Sequence, residues 1–153
     1  EALEVQLAET KAQIDHLESI QNSLNIALSA DDLVQIKEEL MEYGFIKKHK
    51  HGKKQKIKSK PFHYISSDGY DMYVGKNNYQ NDELTFKFAT GNDWWFHSKT
   101  FPGSHVIVKC NNKDLPDNTF EEAARLAASS YVLSGSSFPL VRTITCEPGI
   151  CLA

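Results

Sequence analysis

Apolar side chains recur at alternating spacings of four and three positions over the first 28 residues. The seam comprises Leu3, Leu7, Thr10, Ile14, Leu17, Gln21, Leu24 and Leu28. Six of these eight positions are apolar, and the segment contains no Gly or Pro. So narrow a stripe is typical of a helix that packs on another helix. We expect a coiled-coil helix whose partner is an upstream antiparallel strand of a longer polypeptide or a second copy; an amphipathic helix on a globular core is the alternative.

A second, shorter helix is predicted from about residue 31 to 43. Ser29 is a favourable N-cap, and Asp31 and Asp32 place negative charge in the first turn. Gly44 stands where a left-handed residue commonly ends a helix. The expected apolar face comprises Leu33, Ile36, Leu40 and Tyr43.

From residue 62 the pattern changes to short aromatic and β-branched runs, which are typical of strands. Strands are predicted over 62–66, 70–74, 94–98 and 104–109, with hairpin turns at Asp68-Gly69 and Phe101-Pro102-Gly103. Asn77 or Asn78 should cap a helix to about 88, and a capping box at Thr119–Glu122 should open another to about 128. The predicted fold class is α+β: an N-terminal coiled-coil helix followed by a small mixed domain of β-hairpins with flanking helices.

The net charge of -3 conceals a strong segregation of charge along the chain. Residues 1–45 carry ten acids and two lysines, whereas residues 46–60, here called the lysine strip, carry eight lysines and no acid. Lysines that pair with phosphates release counterions, which gives salt-dependent affinity for nucleic acid. The strip therefore predicts phosphate contacts, and the candidates are Lys47, Lys48, Lys53, Lys54 and Lys56. A merely soluble linker or a localisation signal is the alternative.

Two further clusters are candidate contacts on the surface of the domain. If residues 101–103 turn a hairpin, His97 and His105 share one face with Lys99 and Lys109, beside Trp95. Such a face suits phosphates and stacked bases, although Trp94 and Phe96 could equally be core with the other face merely solvated.

The second cluster is the polar segment 75–82. Its candidates are Lys76, Asn77 and Asn78, because side-chain amides match base edges and phosphates. A helix N-terminus held by Asn and Asp caps is the alternative interpretation, and local chemistry favours it.

Other classes of protein find little support in the sequence. No apolar run approaches the length of a membrane span, no secretory signal opens the chain, and the three cysteines (Cys110, Cys146 and Cys151) are too few for a disulfide framework. We expect free thiols and a cytoplasmic location. No zinc-type spacing or framed nucleophile occurs, so we expect no metal, no cofactor and no enzymatic activity.

Several blocks together resemble the NFACT family. They are Asp68-Gly69, residues 74–78 with 80–82 (VGKNN and QND), residues 92–99 (NDWWFHSK) and residues 102–108 (PGSHVIV). Their order matches the family's RNA-binding domain, NFACT-R, and so does the lysine-rich segment that follows a coiled coil. The implied organisation is a coiled-coil arm with a short helix (1–45), a lysine-rich linker (46–60), an NFACT-R-like domain (61–128) and an atypical tail (129–153).

The resemblance also implies a function. Bacterial family members of the RqcH type act in ribosome quality control: they bind stalled large ribosomal subunits and recruit tRNA, so that the nascent chain gains a C-terminal alanine tail. The implied partners are rRNA and tRNA, with no membrane partner. Many members are also called fibronectin-binding proteins, so a fibronectin-binding surface adhesin is one alternative, and a coiled-coil interaction module without RNA is another.

The tail departs from the family pattern. Residues 129–153 are rich in serine and nearly uncharged, and they predict no more than a short strand over 140–145. We expect a frameshifted, chimeric or truncated end that packs poorly.

Overall fold

The structure is a computed structural model, and it describes residues 2–47, 59–98, 102–132 and 144–148. Its first element, helix α1, spans Ala2–Ile26. Most of the predicted seam faces solvent: Leu3 is 80% exposed, Leu7 71% and Ile14 51%. Toward the C-terminal end of α1, Ile20 and Ile26 are buried. The helix is confirmed, and its coiled-coil pairing stays a prediction.

Helix α2 spans Ala30–Glu42 and begins as the sequence predicts. Ser29 accepts a hydrogen bond from the Asp32 amide, and the Asp32 carboxylate accepts one from the Ser29 amide, which makes a capping box. Gly44 follows the helix with a φ of +80°, the left-handed conformation expected there. The predicted apolar face is confirmed at Ile36, which is buried, and wrong at Leu33 and Tyr43, which are 50% and 62% exposed. Asp32 and Glu39 are buried instead.

Within the described residues, five antiparallel strands form one sheet. They are β1 (Phe62–Ile65), β2 (Asp71–Val74), β3 (Trp94–Ser98), β4 (Val106–Lys109) and β5 (Ile144–Pro148). Their order across the sheet is β1-β2-β4-β3-β5, so β1 and β5 are the edges. The α+β class and four predicted strands are confirmed. The described strand of the tail spans 144–148 and pairs with β3; it overlaps the predicted strand at 144–145, and residues 140–143 lie outside the described residues.

The β1–β2 hairpin also fixes the start of helix α4, which spans Asp117–Val132. Its loop holds three residues rather than two, because Ser66 pairs with Tyr70 and Gly69 adopts a φ of +82°. Asp68 in this loop accepts hydrogen bonds from the Thr119 amide and hydroxyl, at 3.1 and 2.8 Å. The predicted capping box at Thr119 is therefore wrong: a carboxylate from a distant loop supplies the cap.

The main core lies between α4 and one face of the sheet. It is formed by Met72, Val74, Phe96, Val106, Val108, Cys110, Ala123, Ala124 and Ala127, with Trp94 packed against it. This confirms that Trp94 and Phe96 belong to the core. Burial and the nearby Asp93 carboxylate raise the pKa of the Cys110 thiol, so it is a poor nucleophile in this setting.

A short helix, α3 (Asn78–Glu83), continues into a single π-helical turn, Leu84–Phe88, which contacts β4. Asn77 is the N-cap of α3, as predicted. Leu84 and Ile107 are both buried, and Ile107 points away from the α4 side of the sheet. Among the described residues, no helix has the length and apolar character that a membrane crossing needs.

Candidate nucleic-acid interface

The polar segment 75–82 joins the domain to α2. Lys76 Nζ lies 2.6 Å from Asp32 Oδ1, and both side chains are buried. Burial alone would raise the pKa of Asp32, but hydrogen bonds from Lys76 and Ser59 outweigh it and hold that pKa well below the usual carboxylate range. The Asp32 carboxylate is therefore ionised at neutral pH.

Two asparagines extend this contact, which we call the arm–domain joint. Asn77 donates to Gln35 Oε1 at 2.7 Å, and its own Oδ1 accepts from the Gln80 amide at 3.0 Å. Asn78 donates to Glu39 Oε1 at 2.6 Å and accepts from Ser19 Oγ at 2.9 Å. An RNA contact by Lys76, Asn77 or Asn78 stays a prediction, and it would require these internal bonds to break.

Glu39 is the second buried acid of the joint. Its side chain is 1% exposed, and His16 Nε2 lies 3.5 Å away. Burial raises the pKa of Glu39, and the Asn78 hydrogen bond and His16 offset this only in part. A buried carboxylate that takes up a proton more readily than in water makes the joint sensitive to pH.

Gly75 is required by a close approach to Asn81. A Cβ on Gly75 would meet Asn81 Oδ1 at 2.1 Å. That oxygen accepts from the His105 amide at 3.0 Å, while Asn81 Nδ2 donates to the Gly103 carbonyl at 3.3 Å. The two family blocks, around 75–82 and 102–108, are thus bound to each other by one side-chain amide.

The sheet face opposite α4 carries the predicted histidine cluster. The ring centroids of His97 and His105 are 4.7 Å apart, and that of Trp95 is 5.2 Å from His105. The β3–β4 register places these residues on one face, which confirms the predicted parity. Lys109 shares this face, but its Nζ is held by Asp93 at 2.5 Å and is not free for a phosphate.

Both histidines of the cluster are neutral at pH 7. Burial lowers the pKa of His97, and burial together with His97 lowers the pKa of His105 to about 4. His97 Nδ1 and Trp95 Nε1 are buried with no hydrogen-bond partner among the described residues. Unpaired buried polar atoms are rare, which makes this cluster unusual for a purely structural one.

A second set of rings on the same face is not among the residues that the sequence singled out. His63 stacks on Tyr73 with centroids 4.6 Å apart and planes at 11°, and Tyr73 meets Phe88 edge-on at 4.7 Å. The predicted two-residue turn at Asp68-Gly69 would align Tyr64 with Tyr73, whereas the three-residue loop of the structure aligns His63 with Tyr73. The sequence therefore carried no signal for this pair.

Most of the lysine strip lies outside the described residues, and so do these candidates: Lys48, Lys53, Lys54, Lys56 and Lys99. Lys47 is described and exposed. In the described part of the chain, no three His, Cys, Asp or Glu side chains cluster as metal ligands do. The absence of a cofactor stays a prediction.

Comparison with known families identifies this combination of arm and sheet. Residues 60–137 match the NFACT protein RNA binding domain, and residues 1–59 match the NFACT N-terminal and middle domains. The chain therefore belongs to the NFACT family, as its motifs predict. The match to the RNA-binding domain extends to residue 137, beyond the expected boundary at 128.

Curated relatives and a solved structure agree with this assignment. The chain is 46% identical over 123 residues to Rqc2 homolog RqcH of Streptococcus pneumoniae, covering 80% of this chain and 22% of the relative. The Bacillus subtilis protein of that name is 36% identical over 142 residues, covering 90% and 24%. The chain thus spans just under a quarter of these relatives.

The solved structure is the C-terminal part of the fibronectin/fibrinogen-binding protein from Streptococcus suis. It has a TM-score of 0.77 and 38% identity, and the match covers 96% of this chain and 57% of that chain.

Proposed function

We propose that this chain is the RNA-contacting part of a ribosome quality control factor. The observation that carries the proposal is the match of residues 60–137 to the NFACT RNA-binding domain, directly after the eight lysines of the lysine strip. Phosphates would pair with those lysines. Bases would contact the sheet face opposite α4, here called the open face. The relatives named Rqc2 homolog RqcH support the link to ribosome quality control.

The finer proposal concerns what the factor does with RNA. It holds a stalled large ribosomal subunit through rRNA and recruits tRNA, so that the trapped nascent chain gains C-terminal alanines. No chemical step falls to this chain, because the ribosome performs peptide transfer. The side-chain chemistry is in keeping with this: the described side chains proposed to contact RNA are the ammonium group of Lys47 and the rings on the sheet face opposite α4, and none of them is an activated nucleophile.

Filter binding of the 153-residue chain to tRNA and large-subunit rRNA at several salt concentrations tests the RNA interaction. We expect affinity to fall steeply with salt. Replacing Lys47, Lys48, Lys53, Lys54 and Lys56 with Gln should flatten the log–log slope by about 0.7 for each lysine–phosphate pair that the substitutions remove. A triple change on other exposed lysines, Lys11→Gln/Lys37→Gln/Lys113→Gln, is the matched control. Absence of binding at low salt would refute the proposal.

The tailing step needs a longer protein. A full-length relative whose corresponding segment carries the same five substitutions should bind stalled subunits less well and yield shorter alanine tails, read by mass spectrometry of the nascent chain. Normal tails despite weakened RNA binding by the isolated segment would contradict the role proposed for the strip.

The similarity to a fibronectin/fibrinogen-binding protein favours one second candidate, direct binding of fibronectin. The two functions differ in the residues they would use. If immobilised fibronectin captures the chain and added tRNA releases it, the capture uses the RNA-binding cations. If tRNA has no effect and the five lysine substitutions change nothing, a dedicated adhesive site is present.

A further inference from the structure

A row of side chains crosses four strands on the face opposite α4. The strand register aligns His63 with Tyr73, Tyr73 with Ile107, and Ile107 with Trp95. All four therefore point to the same side of the sheet. Ile107 is fully buried, so the row consists of two aromatic ends separated by a covered centre. The Trp95 end is the histidine cluster described above; the His63 end has no assigned role.

Neighbouring side chains fix the position of the His63 ring. His63 lies flat on Tyr73, Phe88 supports Tyr73 edge-on, and Lys109 Nζ sits 4.7 Å from the centroid of the Phe88 ring. Lys109 is itself fixed by Asp93 and by the Phe88 carbonyl, at 2.5 and 3.2 Å. Rings whose positions are already fixed lose little conformational freedom when a ligand stacks on them.

The outer side of this stack is open. β1 is an edge strand of the sheet, so no described strand lies beyond His63. The His63 side chain is 46% exposed although one of its faces covers Tyr73. Its one polar partner among the described residues is Asp71, whose Oδ1 lies 2.7 Å from Nε2 and orients the ring. A planar group can therefore add to the stack without displacing any described side chain.

The basic segment that precedes this platform along the chain favours a nucleic acid, whereas the Asp71 carboxylate beside His63 keeps phosphates away from the ring itself. The lysine strip ends at Lys60, three residues before His63 along the chain, and it contains no acid. Along the chain, the strip leads through Pro61 directly into β1, which begins at Phe62, so an RNA strand bound to Lys60 has β1 as its neighbouring element. Stacking of bases on protein rings beside a basic track is the common mode of binding to single strands.

We propose that His63, supported by Tyr73 and Phe88, is a stacking platform for one unpaired base of the bound RNA. The site rests on the proposed RNA-binding function and adds to it the face of the sheet and the kind of contact. Because Lys109 is already paired with Asp93, the contact is made by the ring rather than by a phosphate pair at this point.

The test uses single-stranded RNA oligonucleotides carrying 2-aminopurine, whose fluorescence falls when the base stacks. His63→Ala should weaken binding about tenfold and restore fluorescence, as expected for loss of one stacked base. His63→Phe keeps a ring and should stay within about threefold of the parent. An oligonucleotide with abasic positions should bind the parent and His63→Ala equally, and the salt slope should not change.

Tyr64→Ala is the matched control. Tyr64 is the next residue on β1, is also an exposed aromatic, and points to the opposite face of the sheet. It should leave both affinity and fluorescence unchanged.

Equal binding by His63→Ala and the parent would overturn the site, as would an equal loss in Tyr64→Ala or a loss that persists on abasic strands. Absence of parent binding to any RNA would instead overturn the proposed function, and the site with it. Circular dichroism of each variant separates either result from unfolding.

Discussion

The arm–domain joint and the open face of the sheet look alike in sequence and differ in structure. Each is dense in lysine, amide or aromatic side chains, and each contains predicted RNA contacts. In the joint, Lys76, Asn77 and Asn78 are bonded to α2 and its neighbours. On the open face, the rings of His63 and Trp95 lie on either side of a buried central residue. The comparison teaches that residue type indicates what a cluster can bind, whereas its tertiary partners decide whether it is available.

The two regions should therefore respond differently to substitution. A change in the joint should lower the free energy of unfolding and leave the RNA affinity of folded molecules intact. A change at His63 should lower the RNA affinity and leave the free energy of unfolding intact. The predictions below measure the stability of the joint, and the His63 variants above measure RNA affinity.

The largest effect is expected for Lys76→Ala. It leaves the Asp32 carboxylate buried without its cation, and breaking a buried pair in this way costs about 3–5 kcal/mol. Urea unfolding at pH 7 measures the loss. Lys87→Ala, at an exposed position of the π-helical turn, should change stability by less than about 0.5 kcal/mol.

A double substitution distinguishes the pair from its surroundings. Replacing both partners, Asp32→Asn with Lys76→Met, should recover most of the stability because no buried charge is left unpaired. If Lys76→Ala keeps its stability but binds RNA weakly, Lys76 contacts RNA and the joint is not a purely structural contact.

An intermediate effect is expected for Gly75→Ala. The new methyl group would collide with Asn81 Oδ1, so the Asn81 side chain must move and release the His105 amide. Overpacking of this kind costs about 1–3 kcal/mol. Thermal unfolding measures it, and the chemical shift of the His105 amide reports whether its hydrogen bond has broken.

A double-mutant cycle with Asn81→Ala checks the cause. If the collision with the side chain is responsible, Gly75→Ala should cost much less once Asn81 has been shortened, and the remainder reports the 3.0 Å approach to the Asn81 backbone nitrogen. Equal costs in both backgrounds would mean that the glycine is needed for another reason.

Local pattern predicted the elements of this fold well where the determinants are local. Ser29, Gly44 and Asn77 act at helix ends through bonds to residues close in sequence, and all three predictions are confirmed. The start of α4 was misplaced because its cap, Asp68, is 51 residues distant from Thr119. The apolar face of α2 was wrong in part for the same reason, since the partner of Asp32 is Lys76 on a different element.

The candidate site divides in the same way. The shared face of His97 and His105 followed from strand parity alone. The burial of Lys76 could not be predicted, because no residue near it in the sequence reveals that α2 supplies a carboxylate. His63 could not be singled out from the sequence, because its stacking on Tyr73 depends on the three-residue loop of the β1–β2 hairpin rather than on the predicted two-residue turn.

The smallest effect concerns the pH dependence of the joint, where its two buried acids act in opposite directions. Burial raises the folded-state pKa of Glu39 above the ordinary value of 4.5, so the folded protein binds this proton first, and stability from this group increases as pH falls from 7 toward 4.5. Asp32 has a lowered pKa, so its contribution to stability is full above its ordinary pKa of 3.8 and is lost as pH falls below that value.

Glu39→Gln should abolish the increase in stability between pH 7 and 5 and retain the loss of stability below pH 4. The fold should tolerate this change, because the new amide oxygen can still accept the hydrogen bond from Asn78. If the free energies of unfolding of the parent and Glu39→Gln run parallel from pH 7 to 5, Glu39 does not titrate in the joint. The pH dependence of the joint would then come from Asp32 alone.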